Sequence, residues 1–249
     1  MQPYATPVHW IFLRGLTRGS GHWGHFIAEF EAAVPHVKVI ALDTAGNGAR
    51  FAEQSPCNVA AIVEDCRAQL QLMGYVPPYQ VLALSLGGMV AALWAHRWPE
   101  EVQRIVLVST SMRPLNPFYE RLRPGSYLTM AKLLASGASA TRWEQEILRI
   151  TTRHPQHDVL ADWVHMRESN PVSLANALRQ LLAAARFKLP GASSMEKVLL
   201  LAGQGDQLVS AKCTLALARH WNCAAVLHPT AGHDVPLDDG PWVAAQVRL

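Results

Sequence analysis

Long apolar runs are missing from this chain of 249 residues, although half of it is hydrophobic. No stretch reaches the roughly 20 residues that a helix needs to cross a bilayer. The opening MQPYATPVHWIFLRG has no basic segment ahead of a long apolar one and no small-residue cleavage pattern, so neither a membrane span nor a secretory leader is expected. A soluble, cytoplasmic protein is the expectation. Cysteine is scarce as well: Cys57, Cys66, Cys213 and Cys223 stand too far apart for a CxxC pair and have no His-rich company. That disfavours zinc and disulfides and leaves buried free thiols. Charge of one sign is also lacking, with a net charge of +3 and no block of like charges, which argues against a nucleic-acid partner.

What is present is an alternation of short apolar runs with helical patterns, the signature of an α/β domain with a mostly parallel sheet. The strand candidates are VHWIFL (8–13), VKVIAL (37–42), YQVLAL (79–84), RIVLVS (104–109), KVLLLA (197–202) and AAVLH (224–228). All are short and mostly apolar, as strands covered on both faces should be. Between them, NVAAIVEDCRAQLQLMG reads as a helix with Asn58 as N-cap and Gly74 just past its end. LGGMVAALWAHRWPE reads as a helix that Pro99 forbids to continue.

From 113 to 190 strand signals give way to helical ones, with Thr141 and Glu144 as a capping box and Asn170-Pro171 as a second helix start. The expected organisation is a core of 1–112 and 191–249, with an inserted helical cap at 113–190 and KLPGASS as the loop returning to the sheet.

In YQVLALSLGGMV one hydroxyl stands where strand character ends and helix character begins. Ala83-Leu84-Ser85-Leu86-Gly87 offers small neighbours to a sharp strand-to-helix turn, the geometry that exposes a nucleophilic serine beside backbone N–H donors. Taken alone, Ser85 could also be an ordinary helix-capping serine. With its surroundings, the chain resembles the α/β-hydrolase superfamily over almost its full length, with Ala83 in place of the first glycine of GxSxG. The family's chain order of serine, acid and histidine implies Ser85, Asp206 in LLLAGQGDQLV and His233 in TAGHDVP. STSMRPLNPFY (109–119), where some relatives carry the acid, contains no carboxylate. Among eleven histidines His228 is a structural candidate, and Asp234, adjoining the histidine, is expected to point elsewhere.

The resemblance also implies an oxyanion hole formed by the backbone N–H groups of Leu16 and Leu86, with Arg14 of FLRGLTRGSGHW where relatives have histidine. LDTAGNG (42–48) is similar to the family's glycine-containing turn, with Ala45 in place of proline, and receives no chemistry. The segment 113–190 holds eleven Lys and Arg against six Asp and Glu. There Arg113, Arg121 or Arg123 could grip a substrate carboxylate or phosphate, although a solvated helix face is the plainer account. Trp23, Trp143, Trp163 and Met166 are candidates to line a substrate pocket, or equally core.

The expected activity is a serine hydrolase acting on small or medium carboxylic esters, with no metal or organic cofactor implied. The lid and loop pattern is similar to the carboxylesterases of biotin synthesis and to the pyruvate-eliminating synthases of the menaquinone pathway. A triad-dependent lyase and a non-catalytic binder of small ligands are therefore the alternatives.

Overall fold

A computed structural model describes residues 7–155, 157–189 and 197–248. Six strands, β1 (Val8–Leu13), β2 (Val37–Leu42), β3 (Tyr79–Leu84), β4 (Val102–Val108), β5 (Val198–Gly203) and β6 (Ala224–His228), form one sheet in the order β2-β1-β3-β4-β5-β6. Every pairing is parallel. The strand period of two sends Ile11 and Leu13 to one face and Trp10 and Phe12 to the other. Both faces are covered, which is why the strands carry no polar alternation.

Helices α1 (Phe26–Ala33), α2 (Val59–Leu72) and α3 (Leu86–Arg97) connect the first four strands. Helices α4 (Phe118–Arg121), α5 (Pro124–Ala135), α6 (Ala140–Thr151), α7 (Leu160–Ser169) and α8 (Leu174–Arg186) all lie between β4 and β5 in the chain. Then α9 (Ala211–Trp221) joins β5 to β6, and α10 (Val235–Asp238) and α11 (Gly240–Arg248) follow. Helices α2, α3 and α9 pack on the Ile11 face, whereas α1 and α11 pack on the Trp10 face. In α2 the buried residues Val59, Ile62, Val63, Cys66 and Leu70 recur at the helical period.

β1 is followed by α1 and β2 on one side, while β3 lies on its other side and is followed by α3 on the opposite face. The loops leaving β1 and β3 therefore diverge, opening a crevice at their C-terminal ends, where open parallel sheets bind ligands.

Asn58 caps α2 by accepting the Ala61 N–H, and Gly74 follows it at φ +78. Two other helix starts differ from expectation. Ser139, not Thr141, caps α6 by accepting the Arg142 N–H, and the Glu144 carboxylate turns into the interior instead of back to the cap. Ser173 caps α8 by accepting the Asn176 N–H, so Asn170 ends α7 and Pro171 lies in the link. The expected return loop KLPGASS and the boundary at 190/191 fall largely outside the described residues. The four cysteines are free, with Cys66 and Cys213 buried but Cys57 and Cys223 only half-buried. Burial pushes both interior thiols up, that of Cys213 to about 12. Among the described residues, no helix is long and apolar enough to cross a membrane.

Candidate active site at the ends of β1, β3, β5 and β6

Ser85 occupies the one-residue turn between β3 and α3 at φ 57 and ψ −114, a conformation that L residues rarely adopt. Two hydrogen bonds hold it there: its N–H donates to Val108 O (2.9 Å), and Thr110 Oγ1 donates to its carbonyl (2.7 Å). The close approach of α3 to the end of β1 explains the glycine two residues on. A Cβ on Gly87 would sit 2.5 Å from Leu13 O and 2.7 Å from Arg14 O, both unyielding backbone atoms. Ala83 is a fully buried residue of the β3 ladder, paired with Leu107 of β4.

Asp206 leaves β5 in a turn and is 2% exposed. Its Oδ1 accepts the N–H groups of Leu208 (2.7 Å) and Val209 (2.9 Å), and its Oδ2 accepts from Nδ1 of His233 at 2.8 Å. That contact assigns the His233 tautomer, with the proton on Nδ1 and a lone pair on Nε2. The two loops meet because glycines line the seam. A Cβ on Gly203 would fall 2.0 Å from Ala231 O, and one on Gly205 would fall 2.4 Å from Thr230 O. Gly232 N–H is held by Asp238 (2.6 Å), and Asp234 N–H by Thr151 O (2.8 Å). Ser85 makes no hydrogen bond to His233 among the described residues; in resting hydrolases that bond is often long and tightens only with substrate bound. His228 accepts the Ala231 N–H (2.9 Å) and lies edge-on to Trp242, bracing the same loop.

Leu86 opens α3, where first-turn N–H groups have no intrahelical acceptor. Leu16 belongs to a turn in which Arg18 N–H donates to Gly15 O (3.3 Å), and Leu16 N–H itself has no acceptor among the described residues. A Cβ on Gly15 would lie 3.0 Å from the Cβ of Ser85, so this loop and the elbow are in direct contact.

Arg14 and Asp234 form a contact that no local pattern announces. The guanidinium donates twice to the carboxylate, Nη1 to Oδ1 at 3.1 Å and Nη2 to Oδ2 at 2.5 Å, with both side chains almost wholly buried. Arg14 also lies over Trp23, 4.7 Å from the ring centroid, and Trp23 in turn packs on Phe12 and Phe26. Trp23 is thus core.

Beside the Leu16 loop lies a cavity of about 260 Å³, lined among others by Arg18, His22, Asp43, Glu144, Met166 and Arg167. Glu144, fully buried, accepts from both Arg18 (2.7 Å) and Arg167 (3.1 Å). Each guanidinium stacks on a tryptophan, Arg18 on Trp163 and Arg167 on Trp143. Those two rings therefore stand one layer behind the cavity wall, whereas Met166 is in it. Burial, first, and the neighbouring Arg18 charge hold His22 well below its ordinary pKa.

Arg113 and Arg121 donate to Ala185 O (3.3 Å) and Ala184 O (2.8 Å), closing the C-terminal end of α8, where carbonyls lack partners. The Arg123 N–H donates to Leu208 O at 2.9 Å, beside Asp206. None of these three arginines lines the cavity. Among the described residues, no three His, Cys, Asp or Glu side chains gather as a metal site.

Comparison with known proteins agrees with this architecture. A rice protein, "Probable esterase PIR7A" of Oryza sativa, is 30% identical over 131 residues, 48% of this chain and 48% of its own length. The chain spans about half the length or less of the curated relatives it matches. A thermophilic esterase from Thermogutta terrifontis superposes with a TM-score of 0.74 at 19% identity, covering 98% of this chain and 89% of that one. The 2-hydroxy-6-oxo-6-phenylhexa-2,4-dienoate hydrolase of Rhodococcus sp. strain RHA1 gives 0.75 at 19% identity, covering 98% and 91%. At such identities the two structures speak for the fold. The family profile described as alpha/beta hydrolase fold matches residues 9–240, and the chain belongs to that family.

Proposed function

We propose that this protein is a serine hydrolase that cleaves small or medium carboxylic esters through an acyl-enzyme. Family membership supports a hydrolase, and the esterase names of the rice relative and the Thermogutta structure favour ester bonds. The observation that carries the reading is the disposition of Asp206: two backbone N–H groups fix one oxygen, and the other takes the Nδ1 proton of His233. A carboxylate so held orients the imidazole and stabilises its protonated form.

In this reading Ser85 Oγ attacks the ester carbonyl carbon while His233 Nε2 takes the hydroxyl proton. The resulting oxyanion accepts from the Leu16 and Leu86 N–H groups. Collapse expels the alcohol, which leaves with the proton from His233, and water then releases the acid by the same steps, restoring Ser85. No cofactor is drawn on. Residues 113–190 act as a cap over a core of 1–112 and 191–249.

The test is turnover of p-nitrophenyl acetate and butyrate. Activity that falls by roughly 10⁶-fold in kcat in Ser85→Ala supports the reading. Turnover unchanged in Ser85→Ala, or none across an ester library graded by chain length and charge, overturns it.

A further inference from the structure

We propose that Gln180, on α8, is a positioning residue for the oxyanion loop, fixing the orientation of Leu16 through the peptide that follows it. The inference rests on the hydrolase reading above. Thr17 has φ 57, in the turn closed by Arg18 N–H to Gly15 O. This is the third turn position, where a positive φ ordinarily calls for Gly or Asn, and a β-branched residue is strained there. Strain of that kind persists only where the surroundings over-determine it. The Thr17 N–H donates to Gln180 Oε1 at 2.8 Å, across 163 residues of chain.

The glutamine amide cannot turn round to release that bond. Its Nε2 donates to Asn47 Oδ1 (3.1 Å) and to Ser55 Oγ (3.0 Å). Ser55 Oγ is committed as an acceptor toward Gln180, because it donates its own proton to Ala45 O (2.8 Å), a carbonyl that can only accept. A flipped amide would set NH₂ against the Thr17 N–H and oxygen against the Ser55 oxygen, whose proton is already given away. Gln180, Asn47 and Ser55 are each at most 2% exposed, so water cannot substitute. One turn earlier on α8, Asn176 anchors the same scaffold, accepting the Ser55 N–H (2.9 Å) and donating to Glu53 O (2.8 Å), but it does not touch Thr17. Leu16, whose N–H is the proposed donor, thus has Gly15 packed on Ser85 to one side and a peptide locked by α8 to the other.

The experiment measures kcat, KM and Tm on p-nitrophenyl butyrate for Gln180→Met, Gln180→Glu and Asn176→Ala. Gln180→Met keeps the bulk and removes the acceptor; kcat is expected to fall about 10²-fold with KM changed less than about threefold, the scale of loss a small misplacement of a catalytic group produces. Gln180→Glu keeps an acceptor for Thr17 but turns its second oxygen toward Ser55 Oγ, so Tm is expected to fall at least as far as in Gln180→Met while kcat stays well above that variant's. Asn176→Ala lowers Tm at least as much as Gln180→Met and leaves kcat near wild type. Should Gln180→Met not fold, Gln180→Asn, which draws the amide back by one methylene but keeps it polar, is expected to show the same kcat loss. The inference is overturned if kcat tracks Tm across the set, or if the change lies in KM. Absence of Ser85-dependent turnover in the wild type overturns the hydrolase reading, and the inference with it.

Discussion

Arg14, at the end of β1, and Asp234, in the loop after β6, are joined by a buried bidentate ion pair across 220 residues of sequence. In the sheet β3, β4 and β5 lie between those two strands. The pair therefore bridges the C-terminal ends of the intervening strands, including the one that carries Ser85. Because Asp234 adjoins His233 and Arg14 adjoins Gly15, one contact ties the His233 loop to the Leu16 loop.

Breaking it is expected to be costly to stability. Asp234→Ala or Arg14→Ala leaves a buried charge without its partner and is expected to lower stability by about 3–5 kcal/mol in urea unfolding. Arg14→Lys should not restore it, since an ammonium cannot make the two parallel bonds.

Asp206→Asn keeps an oxygen for the Leu208 and Val209 N–H groups but offers NH₂, not an acceptor, to His233 Nδ1. The imidazole then adopts the other tautomer. We expect kcat to fall by roughly 10⁴-fold with the fold retained, measured by ester turnover beside circular dichroism.

Gly87→Ala introduces a methyl against two backbone carbonyls at 2.5 and 2.7 Å. Neither can retreat without shifting β1, so a loss of about 1–3 kcal/mol in thermal or urea unfolding is expected. Gly74→Ala, at φ +78 with nothing within 4 Å of its Cβ, tests backbone strain without crowding and should cost less.

Stability should also depend on His22. Its Nε2 accepts from Arg18 Nη1 (3.1 Å) and its Nδ1 donates to Gly19 O (3.2 Å), so a second proton would face a guanidinium. With the folded pKa held below the ordinary 6.5, the unfolded chain binds a proton in that window that the folded chain does not. Stability is then complete above about pH 6.5 and declines as pH falls toward the folded value, by at most about 1.4 kcal/mol per pH unit. His22→Gln should flatten that slope in urea melts between pH 7 and 5.

The sheet is legible in the sequence because strands buried on both faces leave mostly apolar runs; even so, β4 starts two residues before RIVLVS, at Val102. Cap choice within 113–190 is less legible. Ser139, Thr141, Asn170 and Ser173 all carry an acceptor that can reach an N–H two or three residues on, and only tertiary contacts select among them. Glu144 shows why: its spacing from Thr141 suggests a cap, yet Arg18 and Arg167 claim its carboxylate in the interior. Ser85, Asp206 and His233 can be nominated from strand ends and chain order. Arg14 with Asp234 and Gln180 with Thr17 leave no such trace, because each pair is defined by partners more than 160 residues apart. An arginine in place of the family's histidine at position 14 is the one hint, and it points to a partner without naming it.

The central claim is that His233 activates Ser85. Incubation with a fluorophosphonate followed by peptide mass spectrometry tests it most directly. One adduct per chain is expected, on Ser85, formed at a rate that collapses in His233→Ala while that variant remains folded. An unlabelled Ser85, or one labelled equally fast without His233, would contradict it.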